Sequence, residues 1–104
     1  MYGFQDFLVI EAPQRRLRML CKHFAHKLEV HADPDHTHAR IHFEDGTCTL
    51  AVEAGGLRLQ GQASGVAQAE ALKEVIRVHL QRFIGREAPP LTWYGASAVD
   101  DAAG

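Results

Sequence analysis

A cysteine and two histidines lie within six residues of one another in the segment RRLRMLCKHFAHK, residues 15–27. A thiolate and imidazoles are ligands for zinc, iron and copper, and residues three apart on a helix, such as His23 and His26, are neighbours. The helical phase separates the three groups, because Cys21 falls on the apolar side, His26 on the opposite side and His23 between them. The spacing therefore favours two surface histidines and one buried thiol over a metal site.

A second group of metal-ligating residues fills the segment that follows, namely His31, Asp33, Asp35, His36 and His38. If His36 and His38 are both extended, their side chains point the same way about 7 Å apart, and a nearby aspartate such as Asp35 completes a ligand set. If the chain binds a metal, we predict that it binds weakly at His36, His38 and Asp35 rather than at Cys21, with His42 too far along the strand. Solvated turn histidines are the competing interpretation.

His79 stands within an apolar stripe at helical spacing, together with Leu72, Ile76, Leu80 and Phe83. We expect its ring to be largely buried, with its nitrogens hydrogen-bonded to a carbonyl or a side chain. Alternatively, His79 lines a pocket between two helices, near Cys21 and His23, where it orients a ligand or transfers protons. The candidate ligand-binding residues are then Cys21, His23, His79, Arg18 and Lys22, the last two from a basic helix face suited to phosphate or carboxylate.

The elements that must position these residues follow from hydrophobic periodicity. A buried strand over residues 4–11 precedes a helix that begins at Pro13, and a second helix spans residues 67–84. Strands are predicted at 38–44, 47–54, 57–63 and 91–94, with only a short extended piece at 29–33. The predicted fold class is α+β, in the order β-α-β-β-β-α-β, with an open, mainly antiparallel sheet and both helices on its apolar face.

Two dipeptides, Asp45-Gly46 and Gly55-Gly56, are preferred two-residue hairpin loops. Such loops place apolar opposite apolar and acid opposite base in the pairs Phe43–Cys48, Ile41–Leu50, Val52–Leu59 and Glu53–Arg58. The other sheet face is polar, and we expect it to be solvated or to form a two-fold dimer contact. Residues 1–95 are expected to form one domain and residues 96–104 a disordered acidic tail.

The composition and motifs of the chain limit the functional classes that fit this sequence. The net charge of −2 argues against a nucleic-acid binder, and no Gly-rich phosphate loop, GxSxG or HExxH motif is present. The two cysteines form no CxxC pair, and there is neither a signal peptide nor a membrane-length apolar run. We therefore expect a cytoplasmic protein that is more readily a binding protein than an enzyme.

Four blocks of the sequence, taken together, are specific to one family: LCKHFAHK at 20–27, RIHFEDGTC at 40–48, VIRVHLQRF at 75–83 and LTW at 91–93. The chain, over roughly residues 7–93, resembles the small bacterial family catalogued as domain-of-unknown-function family 2218. The resemblance implies a bacterial, intracellular protein but supplies no activity, cofactor or catalytic residue. Relatives of this kind are sometimes joined to, or encoded beside, siderophore-interacting proteins, which implies a context of iron handling.

Three functional hypotheses follow. The favoured one is a small non-catalytic binding or accessory module linked to siderophore or iron handling. The second is a metal-binding protein that uses the histidine-rich loop, and the third is a small enzyme that uses His79 or Cys21. The expected partner is a small molecule or a metal rather than nucleic acid or a membrane, and the chain is expected to be a monomer or a homodimer.

Overall fold

The computed structural model describes residues 2–84 and 94–98 of the chain. The elements are β1 (Tyr2–Val9), α1 (Pro13–Ala25), β2 (Glu29–Ala32), β3 (His38–Phe43), β4 (Gly46–Glu53), β5 (Gly56–Ala63), α2 (Val66–Ile84) and β6 (Tyr94–Ala98). The strands form one open antiparallel sheet in the order β2-β3-β4-β5-β1-β6. The α+β class is confirmed, and the extended piece at residues 29–32 adds a strand at one edge of the sheet.

Both helices pack on the same face of the sheet, as predicted. Helix α1 begins at Pro13, whose fixed φ suits the first helical position, and it buries Leu17, Leu20, Cys21 and Phe24. Helix α2 buries Leu72, Ile76 and Leu80 against the same core. Each fully buried leucine contributes about 1.5–3 kcal/mol relative to an exposed one. Helix α1 lies over β2–β5 and α2 over β5 and β1, so the two helices share the sheet between them.

The predicted hairpin register is wrong by two residues in both hairpins. Ile41 pairs with Cys48 and Val52 with Leu57, because the loops are 44–45 and 54–55 rather than the two glycine-containing dipeptides. The glycines Gly46 and Gly56 stand in the strands, where a Cβ would lie 2.1 Å from a backbone carbonyl oxygen. A shift of two residues leaves each side chain on its predicted face, since the period of a strand is two.

The last described strand extends further along the chain than predicted. Strand β6 covers Tyr94–Ala98 and pairs with β1, so Ala96 to Ala98, which we assigned to the acidic tail, belong to the sheet. The sequence of this segment is rich in small residues and lacks the β-branched pattern typical of a strand, and its pairing comes from the open edge of β1. The predicted strand residues 91–93 and the helix-capping Gly85 lie outside the described residues.

The outer face of the sheet carries polar side chains, as the alternation predicts. Glu53 and Arg58, predicted to be directly opposite, form an ion pair of 3.1 Å along the diagonal of the β4–β5 hairpin. The guanidinium of Arg58 also lies over the ring of Phe7, 5.0 Å from its centroid. In the part of the chain that the structure describes, no helix is long and apolar enough to cross a membrane.

Candidate functional site

A cleft of about 600 Å³ opens where the C-terminal end of α1, the middle of α2 and the β3–β4 turn meet. Its floor is apolar, formed by Phe24, Leu28, Phe43, Leu72 and Val75. Phe24 is buried and meets the half-buried Phe43 edge to face, with ring centroids 5.5 Å apart. Aromatic edges and faces of this kind form a suitable surface for a planar apolar group.

The rim of the cleft is polar and titratable. The described residues on it are His23, His26, Lys27, Glu44, Asp45, His79 and Arg82. Three imidazoles, an ammonium and a guanidinium therefore face two carboxylates. Among the described residues that line the cleft there is no serine, threonine or cysteine, so a side-chain hydroxyl or thiol nucleophile is missing from this lining.

His79 lies between the two helices, as the second interpretation of the sequence required, and its ring is half-buried rather than fully buried. Its Nδ1–H donates to the carbonyl oxygen of Val75 at 2.8 Å, since a carbonyl can only accept. This bond leaves Nε2 as the acceptor nitrogen of the neutral ring. The ring centroid lies 5.2 Å from that of Phe24 and 5.9 Å from that of His23. The predicted proximity of His23 and His79 is thus present in the structure.

The other three predicted ligand-binding residues do not line the cleft. Cys21 is buried in the core at 6% exposure, and burial, followed by the negative charge of Asp33, raises the pKa of its thiol. Arg18 and Lys22 are exposed on α1 but lie outside the cleft lining. The predicted helical phase explains this result, because Cys21 points inward with the leucines while the basic residues point away from the sheet.

The segment between β2 and β3 is folded as a tight turn, so the geometry that we predicted for Asp35, His36 and His38 is wrong. His36 has a φ of 56° and is not extended. Asp33 organises the turn, because its carboxylate accepts hydrogen bonds from the Thr37 hydroxyl at 2.5 Å and from the backbone N–H groups of Thr37 and His38. These bonds, the Thr37 hydroxyl first, lower the pKa of Asp33 to about 2. Asp35, His36 and His38 do not form a group whose ligand atoms converge.

A different set of metal-ligating side chains converges on the outer face of the sheet. One ligand atom from each of Glu29, His31 and His42 lies within 4.8 Å of the other two. The Nε2 atom of His31 is 2.5 Å from a carboxylate oxygen of Glu29, and the rings of His31 and His42 meet edge to face at 5.5 Å. The hydrogen bond from His31, and then the charges of His31 and His42, lower the pKa of Glu29.

Sequence reasoning missed two parts of these sites. It did not include the Glu44–Asp45 turn or Arg82 in the cleft, because their approach to α1 depends on how the helices lie on the sheet. It also excluded His42 from any metal set. The alternation Glu29-Val30-His31 was the available signal, because treating it as a strand paired with β3 brings Glu29 opposite His42.

The comparisons with known proteins agree with this architecture. The model of a family described as an uncharacterized protein conserved in bacteria, DUF2218, matches residues 8–94. The fold is similar to the NMR structure of PA4090 from Pseudomonas aeruginosa, with a TM-score of 0.75 and 24% sequence identity over 94% of this chain and 100% of that chain. This likeness concerns the fold alone. No curated protein shows a significant match to the sequence.

Proposed function

The chain belongs to the bacterial family DUF2218, and from its interhelical cleft we propose that it is a non-catalytic binding module for a small acidic molecule with an aromatic part. The single observation that carries this proposal is the combination, in one cleft, of an apolar floor containing two aromatic rings with a rim on which one lysine, one arginine and three histidines outnumber two carboxylates. Small-molecule sites have this composition, in which an apolar lining supplies affinity and a few polar groups fix the orientation.

The volume and floor of the cleft favour a ligand with one or two rings. A cleft of about 600 Å³ lies within the range that small-molecule sites occupy. The rings of Phe24 and Phe43 are held nearly perpendicular to each other, at 80°, so a planar group has both a face and an edge to pack against. Leu72 and Val75 of α2 complete the apolar surface on the other side.

The rim favours an acidic group on that ligand. Lys27 and Arg82 carry cationic side chains, and the imidazoles of His23 and His26 offer N–H donors. Nε2 of His79, whose Nδ1–H is bonded to the Val75 carbonyl, offers an acceptor for a hydroxyl of the ligand. Hydrogen bonds from cationic groups to a carboxylate are about twice as strong as neutral ones. Aromatic acids of the kind from which catecholate siderophores are built have both features, which links this cleft to the iron-handling context that the family resemblance implied.

The chemistry of the described residues that line the cleft favours binding over catalysis. The two cysteines, Cys21 and Cys48, are buried outside the cleft, and burial raises the pKa of both thiols, that of Cys48 to about 12. A protonated, inaccessible thiol is a poor nucleophile. Two free thiols also suit a reducing compartment, so we propose that the protein works in the bacterial cytoplasm.

The proposal is tested with 2,3-dihydroxybenzoate as the acidic aromatic probe and catechol as its uncharged comparator. Binding is followed by calorimetry and by amide shifts in NMR spectra of the full chain. We expect 2,3-dihydroxybenzoate to shift the amides of α1, α2 and the β3–β4 turn, and to bind more tightly than catechol. Arg82→Gln should weaken binding of the acid about tenfold, as expected for loss of one charge-assisted contact, and leave catechol binding unchanged.

The matched control is Arg18→Gln, which makes the same chemical change at an exposed α1 position outside the cleft. Its affinity for the acid should equal that of the wild-type chain. The proposal is refuted if neither probe binds saturably. Equal losses in the Arg82 and Arg18 variants would also refute it, because the anion would then be bound by diffuse surface charge rather than by the cleft.

A further inference from the structure

We propose that Glu29, His31 and His42 bind one divalent transition-metal cation, with Zn²⁺ as the reference ion, on the outer face of the sheet. This inference is independent of the proposed function, since the site lies on the opposite face of the sheet from the helices and their cleft. It also differs from the sequence-based expectation, which placed metal at the β2–β3 turn.

The backbone of two paired strands brings these three side chains together. Alternation along β2 puts Glu29 and His31 on one face, with Val30 between them packed against the core. Antiparallel pairing of β2 with β3 places His42 directly opposite Glu29. The hairpin therefore aligns one carboxylate and two imidazoles before any ion is present, and their ligand atoms already lie within 4.8 Å of one another.

The donor set matches the preferences of a borderline divalent cation. Two imidazoles and one carboxylate form a recognised zinc ligand set, with a fourth position open to water. Ligand atoms around a tetrahedral zinc ion are roughly 3.4 Å apart, given metal–ligand distances near 2.1 Å. Glu29 and His31, now 2.5 Å apart, would separate by about 1 Å on binding. Both side chains are about two-thirds exposed, so rotamer changes of this size meet little resistance.

One neighbouring charge opposes the ion and one favours it. Arg40 is exposed directly opposite His31 and repels a cation, but its long side chain can turn toward solvent. Asp33, whose carboxylate lies 3.7 Å from the ring of His38 on the same side of the sheet, adds negative charge nearby. With the carboxylate of Glu29, the local acids outnumber the one arginine, so the ion enters an environment that does not repel it.

Binding at this place would join the edge strand to its neighbour. Strand β2 has only four residues, three of them exposed, and among the described strands it pairs with β3 alone. Ligands from both strands would connect β2 to β3 on the outer face. We therefore expect Zn²⁺ to slow hydrogen exchange at the β2 amides as well as to bind.

The experiment is a Zn²⁺ titration of tag-free full-length chain by calorimetry, with hydrogen exchange measured in parallel. The wild-type chain should take up one equivalent, and His31→Ala and His42→Ala should each weaken binding at least tenfold. Glu29→Gln, which keeps the shape of the side chain and removes its charge, should weaken binding several-fold. The control is the double variant His36→Ala, His38→Ala, which should bind within twofold of the wild-type chain.

Hydrogen exchange separates a lost ligand from a damaged fold. In His42→Ala, the β4 and β5 amides should exchange as in the wild-type chain, while Zn²⁺ should no longer protect β2. The inference is overturned if the wild-type chain takes up no Zn²⁺ saturably, or if the His36 and His38 double variant loses binding. Unchanged affinity in all three ligand variants would overturn it as well.

Discussion

Replacing His79 by leucine should cost little stability and much ligand affinity. The change removes the 2.8 Å hydrogen bond from Nδ1 to the Val75 carbonyl, which keeps its helical bond, so the loss is about 0.5–1 kcal/mol. Loss of the ring contact with Phe24, at 5.2 Å, adds about 0.5–1 kcal/mol. The buried leucine side chain offsets part of this loss. The net destabilisation should be about 1 kcal/mol, which corresponds to a fall in melting temperature of about 4–8 °C.

The same substitution removes the Nε2 acceptor of His79 from the cleft rim, and we expect the lost hydrogen bond from a ligand hydroxyl to weaken 2,3-dihydroxybenzoate binding about tenfold. Urea unfolding measures the stability change, and calorimetry measures the affinity. His38→Leu, the same change at an exposed position on the outer face, is the control: it should leave the affinity unchanged, and because it breaks only an exposed ion pair with Asp33, its stability loss should be below about 1 kcal/mol. A stability loss above about 3 kcal/mol would mark His79 as a core residue. Unaltered affinity would remove it from the ligand site.

Three further predictions concern the framework. In urea unfolding, Gly46→Ala should lower stability by about 2–4 kcal/mol, since the new Cβ would lie 2.1 Å from a carbonyl oxygen of the neighbouring strand. Gly55→Ala should cost about 1–2 kcal/mol, because the new Cβ meets no atom but the φ of 84° is unfavourable for alanine. The depressed pKa of Asp33, about 2, stabilises the fold above its unfolded pKa near 3.9, and this contribution disappears as pH falls through about 2. Urea unfolding across pH can therefore compare Thr37→Val, which lacks the hydroxyl, with Thr37→Ser, which keeps it. The free energy of unfolding of the valine variant should fall furthest below that of the serine variant above about pH 4, and less near pH 2. A difference that does not change with pH would contradict this linkage. Because burial raises the pKa of Cys48 to about 12, its thiol should react with a disulfide reagent at pH 8 only as fast as the chain unfolds, and rapid reaction in the folded protein would disprove its burial.

The sequence alone was sufficient for the local parts of this fold. The helical spacing of Leu17, Leu20, Cys21 and Phe24 identified the face of α1 that the structure buries. The alternation along β3, β4 and β5 assigned the inner and outer faces correctly even though the register was wrong by two residues. Periodicity depends only on residues close together in the sequence. The assignment of side chains to the two faces therefore stays correct even when the strands are paired in the wrong register by two residues.

The candidate sites needed the tertiary structure. The meeting of His23 with His79 depends on where each helix lies on the sheet, and periodicity gives the buried face of a helix but not its neighbour. Likewise, Glu29 and His42 are thirteen positions apart and come together only because β2 pairs with β3 across the turn that Asp33 folds. Side chains from distant segments converge through strand pairing and helix packing, whose free energies are shared among many residues, so no short stretch of sequence specifies the convergence.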